Sequence, residues 1–263
     1  MNRLESHLQT LKKRNEKAAV FFITAGDPSL EESLAIMQQL AANGADCIEL
    51  GMPFSDPIAD GPIIQRSTAR ALRQNIALDD ILKLVSDFKR FSSTPVVLMG
   101  YYNPLYRYGL LKAVQDCADA GVDGLIIADL PFEEGEELQE ITEKNNVCLI
   151  YLLAPEIDPK RTRKVAAASR GFIYCVAQYS TTGVDDKSGG ISVETIKALK
   201  RMTDMPVLVG FGISSTEKAL VMAESADGII IGSWLLRELE SKKNKAEHAG
   251  LFARAIKAAL VKS

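Results

Sequence analysis

CIELGMPFSDPIADGP, Cys47 to Pro62, divides into three pieces. Cys47–Leu50 is a short apolar run of the kind that forms a buried strand, interrupted only by the carboxylate of Glu49. Pro53, Asp56, Pro57 and Asp60 then mark a loop, and Gly61–Pro62 opens a helix, since proline is tolerated in a first turn. The segment is therefore a strand–loop–helix unit. The fold depends on whether that unit repeats.

It does repeat. Apolar runs rich in Val, Ile, Leu or Phe recur at Val20–Thr24, Cys47–Leu50, Val96–Met99, Gly124–Ala128, Cys148–Leu152, Phe172–Val176, Val207–Val209 and Gly228–Ile231. Amphipathic helical patterns fill the intervals. Leu78, Ile81, Leu82, Val85 and Phe88 share one helical face, as do Leu30, Leu34, Met37 and Ala41. Ser214 with Glu217, and Ser192 before Glu194, read as helix starts; Gly44, Gly121 and Gly171 read as helix ends. Eight such units in 263 residues have the size of a (β/α)8 TIM barrel spanning 1–263 as a single domain, with residues 1–17 an extra N-terminal helix capping its bottom. The competing doubly wound sheet lacks a GxGxxG after the first strand and any domain break.

Composition narrows the function. A net charge of −3 argues against nucleic acid as a partner, because binding phosphates needs a basic surface. The N-terminus lacks a signal-peptide core and no apolar run reaches membrane-spanning length, so a soluble, cytoplasmic protein is expected. Cys47, Cys117, Cys148 and Cys175 are widely spaced without a CxxC, and His7 and His248 lie near opposite ends, leaving little material for a metal site or a histidine triad.

Glu49 is the candidate chemical group. If Ile48 and Leu50 face the helices, Cys47 and Glu49 face the barrel interior, and Glu49 lies at the strand end where such barrels place active sites. Either it forms a buried salt bridge or it is a proton donor with a raised pKa; none of the predicted strands carries a Lys or Arg to pair with it. Asp60 either caps the following helix or supplies a second carboxylate in a different environment. Gly210–Ser215 (GFGISS) follows the seventh predicted strand and Gly232–Ser233 the eighth, both leading into helices. These are the loops where barrels cradle phosphate. The long segment Gln178–Gly190 (QYSTTGVDDKSGG) is either a lid or a surface insertion.

Taken together, ELGMPFSDPIADGPIIQ, LMGYYNPLYRYG, IADLPFEE, LLAP, GFGIS, GSWL and FFITAGDP strongly resemble the tryptophan synthase α-subunit family across nearly the whole chain. The resemblance implies a carbon–carbon lyase that cleaves indole-3-glycerol phosphate to indole and glyceraldehyde 3-phosphate without a cofactor. It implies Glu49 and Asp60 as the catalytic carboxylates, Gly183, Gly212, Gly232 and Ser233 at the phosphate, and Phe22, Ile126, Tyr174 and Phe211 around the indole. Thr182 would contact Asp60 on lid closure. It further implies an α2β2 heterotetramer with a β-subunit that holds pyridoxal phosphate, with Pro53, Phe54, Asp56 and Asn103 facing that partner. One departure bears on the lid: where the family reads Ser-Arg-x-Gly-Val-Thr-Gly, this chain has Ala177 to Gly183, with Gln178 for the Arg and Ser180 for the first Gly. That departure motivates an alternative, a weakly catalytic or non-catalytic allosteric partner of the β-subunit. A different sugar-phosphate barrel, such as an isomerase or indole-3-glycerol-phosphate synthase, is a further alternative; the synthase would need a strand lysine.

Overall fold

In the computed structural model, residues 1–154, 158–176, 193–210 and 212–261 are described. The segment Gln178–Gly190, read as a lid or a surface insertion and including Thr182 and Gly183, and Phe211 lie outside them. Along the chain the elements are α1 (Arg3–Lys13), β1 (Ala18–Thr24), α2 (Leu30–Ala42), β2 (Cys47–Gly51), α3 (Pro62–Leu72), α4 (Leu78–Phe91), β3 (Val96–Gly100), α5 (Tyr102–Tyr108), α6 (Leu110–Ala120) and β4 (Gly124–Ile127). They continue as α7 (Glu136–Lys144), β5 (Cys148–Ile150), β6 (Leu152–Leu153), α8 (Pro159–Ala168), β7 (Ile173–Val176), α9 (Val193–Lys200), β8 (Val207–Gly210), α10 (Thr216–Ser225), β9 (Gly228–Ile231), α11 (Ser233–Glu240) and α12 (Lys245–Val261).

Every strand pairing is parallel, in the order β5-β4-β3-β2-β1-β9-β8-β7-β6. The two ends of that order are consecutive in the chain. The predicted strand Cys148–Leu152 is thus one barrel position split at Tyr151: β5 pairs with β4 and β6 with β7. Bonds from the Arg170 N–H to the Leu149 carbonyl (2.9 Å) and from the Tyr174 N–H to the Tyr151 carbonyl (3.3 Å) close the ring. The chain is a (β/α)8 barrel, with doubled helices after β2, β3 and β9.

Side-chain alternation divides the core in two. Phe21, Ile48, Leu50, Leu98 and Leu125 point outward to the helices, while Val20, Phe22, Cys47, Val97, Ile126 and Tyr174 fill the interior. Leu4, Leu8 and Leu11 of α1 belong to the interior cluster, so that helix packs into the end of the barrel where the strands begin. The predicted face of α2 holds in part: Met37 is fully buried with Ile36 and Leu40, while Leu30, Leu34 and Ala41 pack at its margin. The helix expected to start at Ser214 starts one residue later. Ser215 has the extended backbone of a cap, and its hydroxyl accepts the Lys218 N–H.

The N-terminal rim repeats a device on alternate strands. The residue preceding β2, β4 and β9 is Asp46, Asp123 and Asp227, and each donates its backbone N–H to the neighbouring strand. Each carboxylate also accepts a strand N–H, from Ala19 (2.8 Å), Val96 (2.9 Å) and Val207 (2.9 Å) respectively. Each meets a lysine: Lys257 at 2.6 Å, Lys89 at 2.7 Å and Lys200 at 2.7 Å. Before β7 the residue whose N–H reaches the preceding strand is Arg170, three residues ahead of Ile173; its side chain cannot accept and instead binds Glu5 of α1.

Candidate active site

Pairing in register sets Glu49 between Phe22 on β1 and Val97 on β3. Because Ile48 and Leu50 face the helices, Glu49 faces inward, and it is 1% exposed. Its Oε2 is buried without a hydrogen-bond partner, and among the described residues no Lys, Arg or His forms an ion pair with it. The salt-bridge reading thus lacks a cation. Burial pushes its carboxyl up to about 8, and the negative charge of Asp60 adds to the shift. At neutral pH the group holds its proton.

Asp60 does not cap α3. The N-cap is Gly61, with no side-chain cap bond, and Pro62 is the first helical residue. Asp60 instead shares a recess with Tyr101, whose phenol oxygen accepts the N–H of the adjacent Ala59 at 3.0 Å. Burial raises Asp60 to about 6, with the Tyr101 hydroxyl holding it down. Two carboxyl groups on adjoining elements therefore differ at pH 7, one mostly protonated and one mostly ionised.

One cavity is lined by Phe22, Glu49, Tyr174, Gly212, Gly232 and Ser233, residues from the ends of five strands. Asp60 and Tyr101 line an adjoining recess that shares Phe22, Ile64 and Met99 with it. Close packing depends on absent side chains: a Cβ on Gly51 would collide with the Phe22 ring, and one on Gly210 with the Tyr174 ring. Gly212 has φ +74°, a left-handed backbone that disfavours other residues. Gly232 precedes α11, whose first N–H groups have no intrahelical acceptor and whose dipole favours an anion. The cavity therefore joins a protonated carboxyl, an apolar wall and a helix N-terminus.

Of the sequence-predicted residues, Glu49, Phe22, Tyr174, Gly212, Gly232 and Ser233 meet at this cavity and Asp60 lies beside it. Ile126 is fully buried in the interior cluster below. Thr182, Gly183 and Phe211 are outside the described residues. Sequence reasoning gave no role to Ile64, Met99, Tyr101, Ile213 and Ile230, all of which line the two recesses. Position was the available signal for Met99 and Tyr101, which flank the C-terminal end of β3. Among the described residues no group of three or more His, Cys, Asp or Glu could hold a metal ion, and no helix is long and apolar enough to cross a membrane.

A family model described as tryptophan synthase alpha chain matches residues 8–260. The tryptophan synthase alpha chain of Geotalea uraniireducens is 42% identical over 260 residues, 98% of this chain and 97% of that one. That of Geotalea daltonii is 42% identical over 251 residues, 95% of each chain. The crystal structure of tryptophan synthase subunit alpha from Legionella pneumophila superposes with a TM-score of 0.90 at 36% identity, covering 100% of both chains. A Mycobacterium tuberculosis tryptophan synthase structure gives 0.88 at 33% identity, with 98% of both chains covered.

Proposed function

The chain belongs to the tryptophan synthase alpha chain family, and from that premise we propose how its site divides the chemistry. It is a lyase of the tryptophan synthase type, and its reaction is the retro-aldol cleavage of indole-3-glycerol phosphate to indole and glyceraldehyde 3-phosphate. Protonated Glu49 delivers its proton to indole C3, which interrupts the aromatic ring and places positive charge at the ring nitrogen. The Asp60 carboxylate faces that N–H and stabilises the charge. Glu49, now ionised, takes the proton of the glycerol hydroxyl. The carbon–carbon bond then breaks, its electron pair restores the indole double bond, and the oxygen becomes the aldehyde. The proton given to carbon equals the proton taken from oxygen, so Glu49 ends as it began and no cofactor is required.

Phe22, Ile126, Tyr174 and Phe211 form the apolar indole pocket in this reading. Gly183, Gly212, Gly232 and Ser233 hold the phosphate through backbone N–H groups, and Thr182 meets Asp60 when the lid closes. The reaction yields an apolar product at the C-terminal rim. There we place a tryptophan synthase β-subunit in an α2β2 assembly, docked on Pro53, Phe54, Asp56 and Asn103. Pyridoxal phosphate belongs to that partner, and the assembly works in the cytoplasm.

The observation that carries the reading is a buried Glu49 without a cation among the described residues, opening into the same cavity as the N-terminus of α11. The test is indole release from indole-3-glycerol phosphate by the purified chain, with and without β-subunit, beside Glu49→Gln. Release by the native chain and its loss in the variant are expected. A Glu49→Gln protein that retains activity overturns the mechanism.

A further inference from the structure

We propose that Tyr101 is a positioning residue for Asp60, holding the Met52–Asp60 loop so that the Asp60 carboxylate stays fixed and ionised over the cavity. This rests on the reading of Asp60 given above. A loop rich in Pro and Asp has little hydrogen bonding of its own: Ile58 N–H to the Asp56 carbonyl and Asp60 N–H to the Pro57 carbonyl are its internal backbone bonds. The Tyr101 phenol adds two contacts at once. Its oxygen accepts the Ala59 N–H at 3.0 Å, which leaves its own hydrogen for the Asp60 carboxylate. Its ring also meets the Phe54 ring, with centroids 5.3 Å apart, so both ends of the loop lean on one side chain.

Tyr101 can serve as an anchor because its own backbone is held. It follows β3 directly, the Ala128 N–H donates to the Gly100 carbonyl at 2.8 Å, and the adjacent Tyr102 N–H donates to Asp129 Oδ1 at 2.8 Å. The side chain is 3% exposed. The strand end is thus tied through its backbone on both sides, the loop has two internal bonds, and the phenol links the loop to the strand. Among the described residues, the titratable groups around this contact are Glu49 on β2, Tyr101 after β3 and Asp129 after β4. Tyr101 is the one that both lines the recess beside Asp60 and holds the neighbouring Ala59 N–H.

Tyr101→Phe removes the hydroxyl and keeps the ring on Phe54. In the full-length chain assayed for indole release, kcat is expected to fall about ten- to thirty-fold, as for a lost bond to a charged group, with KM changed far less. The acid limb of kcat/KM, set by ionisation of Asp60, moves to higher pH. The double variant Tyr101→Phe with Asp60→Asn should be no slower than Asp60→Asn alone, because Tyr101 acts through Asp60. Losses that multiply in the double variant, or an acid limb that stays in place in Tyr101→Phe, overturn the inference even when Asp60→Asn is itself impaired. An Asp60→Asn protein with full activity would instead overturn the reading of Asp60. A melting temperature for Tyr101→Phe near that of the native chain separates positioning from loss of fold.

Discussion

The two rims of the barrel carry buried carboxylates that behave in opposite ways. At the rim where the strands begin, Asp46 is 8% exposed on its side chain and is met by Lys257, His7 and the Ala19 N–H. Those partners hold its carboxyl below the ordinary value of 3.8, against the upward effect of burial. At the rim where strands end, Glu49 is buried without such partners and is pushed up to about 8. Burial is common to both, so the partner decides the charge. Carboxylates at one rim join neighbouring strands as anions; Glu49 at the other retains its proton at neutral pH.

Glu49→Gln tests that division most strongly. Indole release should fall by about three orders of magnitude, the upper range for removing a general acid–base group. The same variant should stabilise the fold. Between pH 4.5 and about 8 the folded chain retains a proton that the unfolded chain has released, so Glu49 lowers stability as pH rises through that window. Gln has no charge to desolvate, and a gain of about 2 kcal/mol at pH 8, or about 6 °C in Tm, is expected. The gain should vanish below pH 4.5 in thermal melts. A variant that loses stability at pH 8 would break the comparison.

Asp123→Ala probes the opposite rim. It leaves Lys89, 11% exposed on its side chain, buried without its carboxylate. A loss of about 3–5 kcal/mol in urea unfolding is expected, with kcat of the folded protein unchanged. Asp60→Asn should lower kcat by about a hundred-fold and, by the same linkage as Glu49→Gln, raise stability above pH 6 by a smaller amount. The activity profile sharpens the contrast further: kcat/KM should rise through pH 6 as Asp60 ionises and fall through pH 8 as Glu49 loses its proton. The smallest effect belongs to Asp46→Asn. Its destabilisation should be present at neutral pH and disappear as pH falls below 3.8, because Asp46 supports the fold only while ionised.

Much of this was legible in the chain. Strand alternation pointed Glu49 inward because Ile48 and Leu50 had to meet the helices. Glycine-rich turns after the last two strands marked the anion cradle, and the helix-onset residues Gly61 and Pro62 fell where expected. Less accessible were the split of one barrel strand at Tyr151 and the role of Asp60. The first depends on neighbours across the sheet, the second on which residue caps the helix. The strand splits because its two halves pair with different partners, and Asp60 stands off the helix because Gly61 takes the N-cap position.

The amino-acid order by itself determined the rhythm of strand and helix, the inward face of each strand and the loops that follow the strand ends. Those follow from local periodicity and backbone preference. The tertiary structure alone decided which carboxylates carry charge. Asp46 meets a lysine 211 residues away, and Asp60 meets a phenol that follows the next strand. A pKa depends on burial and on charges or donors within a few ångströms, and closure of the barrel brings those groups together from distant parts of the chain.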